Sequence, residues 1–151
     1  MKKIILALFL TLGTMSIQAQ EIKWMTIDEA LALQKKNPKP IFMDVYTDWC
    51  GPCKYLDTTT FQDASIVNYI TANYYAVKFN AEGNSTLNFK GKTYSNPGFD
   101  PNRKGRNSAH DFTKFIAVEG YPSMYIIDKK GELQKPIVGY KTAEQLLPLL
   151  K

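Results

Sequence analysis

Cys50 and Cys53 stand two residues apart and are the only cysteines in the 151-residue chain. A structural zinc site needs about four ligands, and beyond these two thiols the chain offers a single histidine, His110. A purely structural disulfide would close too small a loop to restrain the unfolded chain much. A redox pair is the best reading, because the cysteines follow a strand-like run and open a helix-like one. Only the thiolate attacks a disulfide, and a helix N-terminus carries partial positive charge that favours an anion. Cys50, at that N-terminus, is therefore the expected nucleophile. Cys53, one turn further in, is the expected resolving thiol, which attacks the mixed disulfide and releases the reduced substrate. Pro52 suits the first helical turn, where its missing N–H costs little. No metal is expected, and His110 reads as a surface residue.

The elements that must position this pair follow from patterning. Ile22 to Met25 reads as a short first strand. Thr26 and Glu29 form a capping box for a helix that ends near Asn37-Pro38, since proline disfavours helix at the residue before it. Ile41 to Tyr46 is an apolar run with Asp44 inside it, as a strand buried on both faces would be. Helices are expected over Lys54 to Thr60 and after Asp63, then a strand over Tyr74 to Asn80. Ser108 to Ala117 reads as a short helix. Met124 to Asp128 and Glu132 to Gly139 read as a hairpin turned at Lys129-Lys130-Gly131. Thr142 caps a last helix, which Pro148 is expected to kink or loosen. The order β-α-β-α-β, then α-β-β-α, predicts right-handed parallel crossovers followed by an antiparallel pair. The fold class is α/β: a mixed central sheet flanked by helices.

The N-terminus reads differently from the rest. Lys2 and Lys3, an apolar run from Ile4 to Leu12 and a more polar stretch ending at Ala19 follow the pattern of a signal peptide, with residues 1–19 removed. The apolar run is well below the ~20 residues of a spanning helix, so no membrane span is expected after removal. Loss of two lysines takes the formal charge from +5 to +3 (5 − 2). That mild excess is not a nucleic-acid footprint. Export places the chain in the periplasm or outside the cell, where disulfides persist.

Trp49-Cys50-Gly51-Pro52-Cys53-Lys54 resembles the thioredoxin active-site motif, and the resemblance extends over roughly Trp24 to Lys151. Thr60-Phe61-Gln62-Asp63 further resembles the exported branch that includes the C-terminal domain of the transmembrane reductase DsbD. The resemblance implies a thioredoxin fold over residues 20–151 and a thiol–disulfide oxidoreductase whose redox-active disulfide is Cys50–Cys53, with no other cofactor. It implies that Asp44 is a buried acid that accepts the proton of Cys53, with Lys78 on the neighbouring strand as its partner. Burial raises an acid's pKa, as a general base requires. It implies a cis bond at Tyr121-Pro122, facing the cysteines and pairing with an extended substrate. Trp49 and Gly139 complete the implied substrate-binding surface, while Gly51, Pro52 and Lys78 support it. Gly51-Pro52 with Asp44 points to a reductase of protein disulfides, a monomer recharged by a membrane electron donor. The alternatives are a disulfide oxidase or isomerase, and a redox-silent module that binds peptides in the cis-proline groove.

Residues 82–107 depart from the family pattern as an insertion rich in turn formers, with a possible small hairpin around Lys90-Gly91. The parallel strands ending at Tyr46 and Asn80 share one sheet edge, so the insertion is expected to emerge at the active-site end. Two readings of it stand: a segment that selects partners, among them protein thiols with acidic surroundings, and a tolerated surface loop.

Overall fold

The computed structural model describes residues 20–151. The signal-peptide reading of residues 1–19 lies outside them. The chain order is β1 (Trp24–Met25), α1 (Ile27–Lys36), β2 (Ile41–Tyr46), α2 (Gly51–Thr58), a 3-10 turn (Thr60–Gln62), α3 (Ala64–Asn73) and β3 (Tyr75–Asn80). Then follow β4 (Leu87–Phe89), β5 (Lys92–Tyr94), α4 (Asp111–Phe115), β6 (Ser123–Ile127), β7 (Ile137–Val138) and α5 (Ala143–Leu150).

Five strands form one sheet in the order β1-β3-β2-β6-β7. β3 runs parallel to β1 and β2. β6 is antiparallel to β2, and β7 to β6. The sheet is therefore mixed. Its central strand, β2, is buried from Ile41 to Val45, which accounts for its nearly continuous apolar sequence.

Side chains alternate across a strand, and the alternation builds two cores. Ile41, Met43 and Val45 face α1, α4 and the β4–β5 hairpin. Phe42 faces the other side, against Leu56 of α2, Ile66 and Ile70 of α3, and Leu146 of α5. Asp44, two residues from Phe42, is on that second face, under the cysteine-bearing helix.

Local signals act as expected at most helix starts. Thr26 accepts the Glu29 N–H while Glu29 accepts the Thr26 N–H, Asp63 caps α3, and Thr142 with Gln145 caps α5. Other boundaries differ. β1 covers only two residues rather than Ile22 to Met25. α2 begins at Gly51, ahead of the Lys54 to Thr60 stretch, with Cys50 as its cap and Pro52 in its first turn, as the placement of Cys50 at a helix N-terminus implies. The limb after Gly131 is not a long strand: Leu133 makes a single bridge to Ile127 before β7 resumes at Ile137. Pro136 lies in the gap, and its missing N–H cannot join a ladder. α5 continues through Pro148 to Leu150, where burial of Leu146 and Leu150 holds the last turns by packing.

The segment 82–107 carries a second sheet, in which β4 and β5 pair as a hairpin. Its turn residues Lys90 and Gly91 both have positive φ, 49° and 76°, the geometry of a two-residue turn that matches strand twist. The hairpin is built into the core. Phe89 and Tyr94 are 2% and 4% exposed, and their rings lie 5.4 and 5.3 Å from that of the buried Phe112. The surface-loop reading fails for this part of the segment, because its apolar side chains cover the sheet face beside α4.

Candidate active site

β2 delivers the chain to the site, and Thr47 accepts the Cys50 N–H at 3.2 Å in the turn that follows. Cys50 caps α2, its Sγ accepting the Cys53 N–H at 3.2 Å. The first-turn N–H groups of a helix lack internal partners, so this contact brings Cys50 sulfur into the field that stabilises a thiolate. Pro52 occupies the first turn. The two cysteines are disulfide-bonded and almost wholly buried.

Asp44 is 0% exposed. It pairs in register with Lys78 on β3 and Met124 on β6. Lys78 Nζ lies 2.8 Å from its Oδ2, and neither carboxylate oxygen has a well-aligned hydrogen-bond donor among the described residues. Burial raises the Asp44 pKa to about 6 against an ordinary 3.8, although Lys78 opposes the rise. Lys78 also contacts Asp57. Burial disfavours its charge, but the two carboxylates outweigh that and hold its pKa above the usual lysine value. Three aromatic rings surround the same ammonium, with centroids 5.0 Å (Tyr46), 5.1 Å (Trp24) and 5.5 Å (Phe61) away. Trp24 is thus a half-buried wall of this pocket.

Asp57 is the residue that sequence reasoning missed. It follows Cys53 by four positions on α2, and residues so spaced share a helix face. That spacing was the available signal. Through Lys78, Asp57 ties the helix of the cysteines to the strand of Asp44.

The rim of the site is an open cleft of about 490 Å³, whose lining includes Trp49, Cys50, Gly51, Pro52, Glu82, Arg106, Glu119, Gly120 and Tyr121. Trp49 Nε1 donates to Glu82 Oε2 at 2.9 Å, and the same oxygen accepts the Asn107 N–H at 2.7 Å. The Trp49 ring meets Tyr121 edge-on, with centroids 5.8 Å apart. Arg106 lies over that ring, 4.3 Å from its centroid. Both ends of the 82–107 segment thus border Cys50, as the topology predicts. Burial and then Glu82 raise the Tyr121 pKa above the usual tyrosine value.

The Tyr121–Pro122 bond is cis. Gly139 reaches this loop through its backbone, its N–H donating to the Pro122 carbonyl at 2.8 Å. Its φ of 83° is in the left-handed region that favours glycine. Pro122 and Gly139 are neighbours of the cleft rather than part of the lining that surrounds Cys50.

His110 is not the surface residue expected. It is 0% exposed, its Nδ1 accepts the Phe112 N–H at 3.0 Å as the cap of α4, and its Nε2 lies 2.7 Å from the Ser85 carbonyl. This pattern sets the Nε2–H tautomer and ties α4 to the start of the hairpin segment. The ring replaces the usual short polar cap, which is why the sequence did not mark it. Among the described residues, no three His, Cys, Asp or Glu side chains are grouped to hold a metal.

Comparison with known proteins bears on the family and the fold. Residues 27–151 match a family described as "Thioredoxin-like domain". A 45-residue stretch is 38% identical to the thiol:disulfide interchange protein DsbD of Pectobacterium atrosepticum, covering 30% of this chain and 7% of that protein. A putative disulphide-isomerase from Bacteroides thetaiotaomicron superposes with a TM-score of 0.60 at 26% identity, covering 87% of this chain and 91% of that one. The oxidised C-terminal domain of Neisseria meningitidis DsbD superposes with a TM-score of 0.55 at 18% identity, covering 84% and 96%. The chain belongs to the thioredoxin-like family of thiol–disulfide oxidoreductases and carries its paired cysteines as Cys50 and Cys53.

Proposed function

We propose that the chain is an exported reductase of protein disulfides. Cys50 thiolate attacks a substrate disulfide, forming a Cys50–substrate bond and expelling the other substrate sulfur as a thiolate. Cys53 loses its proton to Asp44 and attacks Cys50 Sγ. The second substrate sulfur leaves, and the enzyme is left with the Cys50–Cys53 disulfide. A dithiol donor at the membrane returns the two electrons and the protons. The chain acts as a monomer in the periplasm or outside the cell. Trp49, Tyr121, Pro122 and Gly139 form the surface that receives an extended substrate.

The observation that carries this reading is the burial of Asp44 on the face beneath α2, with its pKa raised to about 6. A carboxylate so tuned can take a thiol proton near neutral pH, where an ordinary aspartate is too weak a base. Gly51-Pro52 between the cysteines, without a histidine there, supports reduction over oxidation. The absence of a membrane-spanning helix among the described residues is compatible with a domain acting outside the bilayer.

The equilibrium reduction potential of the Cys50–Cys53 pair tests the direction. A value near about −270 mV supports the reductase, and one near about −120 mV overturns it in favour of an oxidase. Reduction of insulin disulfides, with Cys50→Ser as the inactive control, separates both enzymes from a redox-silent peptide-binding module.

A further inference from the structure

Arg106 is the one residue of the 82–107 segment whose cationic side chain reaches the wall of the Cys50 cleft. Its guanidinium stacks on Trp49, 4.3 Å from the ring centroid, while no carboxylate among the described residues comes within ion-pair distance of it. Stacking occupies the face of a guanidinium and leaves its edge N–H groups free, in the fork geometry that matches a carboxylate.

The neighbouring acid does not take that role. Glu82 Oε2 accepts from both Trp49 Nε1 and the Asn107 backbone N–H. Asn107 follows Arg106 directly, so this bond fixes the backbone beside Arg106 and aims the side chain at Trp49. Asn107 is itself braced by its Nδ2, which donates to the Asp100 carbonyl at 2.8 Å. The cation therefore rests on a held platform. Glu119, the exposed acid on the same wall, adjoins the cis-proline loop and repels a second acid there.

We infer that Arg106 is a specificity-determining residue that recruits disulfide substrates bearing an aspartate or glutamate next to the cysteine attacked by Cys50. This rests on the dithiol reading of Cys50 above, and extends it to the class of substrate. Because the guanidinium is exposed, its contribution is modest and screened by salt.

The test uses two disulfide peptides identical except for one position beside the reactive half-cystine, glutamate in one and lysine in the other. Reduction by the full chain is expected to show kcat/KM about fivefold higher for the glutamate peptide at low salt, with the ratio shrinking in about 0.5 M salt, roughly three times the physiological ionic strength. Arg106→Ala is expected to bring the ratio close to one, and Arg106→Glu to invert it. A second measurement is independent of turnover. The Cys50→Ser, Cys53→Ser double variant is titrated with the same peptides carrying serine for cysteine, and isothermal titration calorimetry reports binding. A glutamate preference that Arg106→Ala abolishes upholds the inference even if neither disulfide is reduced, an outcome that would sink the reductase instead. Equal kcat/KM and equal affinity for both peptides, or a preference unmoved by Arg106→Ala, overturns the inference while leaving the reductase standing.

Discussion

Trp49 and Glu82 are 33 positions apart and joined by a 2.9 Å hydrogen bond from Nε1 to Oε2. One belongs to the redox motif and the other opens the inserted segment. Glu82→Ala removes a charged acceptor shared by Trp49 and the Asn107 N–H. Hydrogen bonds to charged groups contribute about 1.5–3 kcal/mol each, so a loss of about 2 kcal/mol is expected by urea denaturation. Glu82→Gln keeps an acceptor oxygen and is expected to lose less. A midpoint unchanged by Glu82→Ala would show that the bond contributes nothing.

Asp44 titrates higher in the folded chain than in the unfolded one, about 6 against 3.8. The folded state therefore holds the extra proton between those values. Stability falls as pH rises through that window, and the full cost, on the order of 3 kcal/mol, is present above about pH 6. Asp44→Asn is accordingly expected to be more stable than the parent by roughly 1–3 kcal/mol at pH 7.5 and about equal to it below pH 4. Its reductase activity is expected to fall at the step that resolves the mixed disulfide. Unfolding midpoints that differ by the same amount at both pH values would contradict the buried-charge account.

Phe89 holds the inserted hairpin to the sheet. Phe89→Ala is expected to cost about 3–5 kcal/mol, as other buried phenylalanine truncations do, with the midpoint of urea unfolding reporting the loss. Removing residues 83–105 would strip Leu87, Phe89 and Tyr94 from the core at once, so that deletion reads stability before it reads substrate choice. Phe89→Ala with an unchanged midpoint would show the hairpin to be dispensable after all.

His110 links α4 to Ser85 and caps the helix. His110→Ala is expected to destabilise by about 1–3 kcal/mol, from a lost cap and a lost hydrogen bond to the part-buried Ser85 carbonyl. His110→Asn can restore the cap but is too short for the Ser85 contact, so it is expected to recover part of the loss. Hydrogen exchange at Phe112 N–H separates the two, since protection there reports the cap.

What could be read along the chain was local. The spacing of Cys50 and Cys53, the capping pairs Thr26–Glu29 and Thr142–Gln145, and the apolar run of β2 each express an interaction within a few residues. Asp44 was conspicuous for a related reason: a charge inside an apolar strand needs a partner wherever the strand goes. The Lys90-Gly91 turn was legible because a two-residue hairpin demands positive φ.

The remaining features depend on distance in space. His110 looked like a surface residue because a histidine cap carries no common sequence signature, and its second partner, Ser85, is 25 positions away. Asp57 acquires its role only when β3 brings Lys78 beneath α2. Glu82 and Arg106 looked like ordinary charges in a turn-rich stretch until the sheet edge brought both ends of that stretch to Trp49. The sequence by itself determined that a redox pair sits where a strand enters a helix, since secondary structure and thiol chemistry are set by near neighbours. Only the tertiary structure decided which distant charges surround that pair, because chain closure over tens of residues selects contacts that no local pattern encodes.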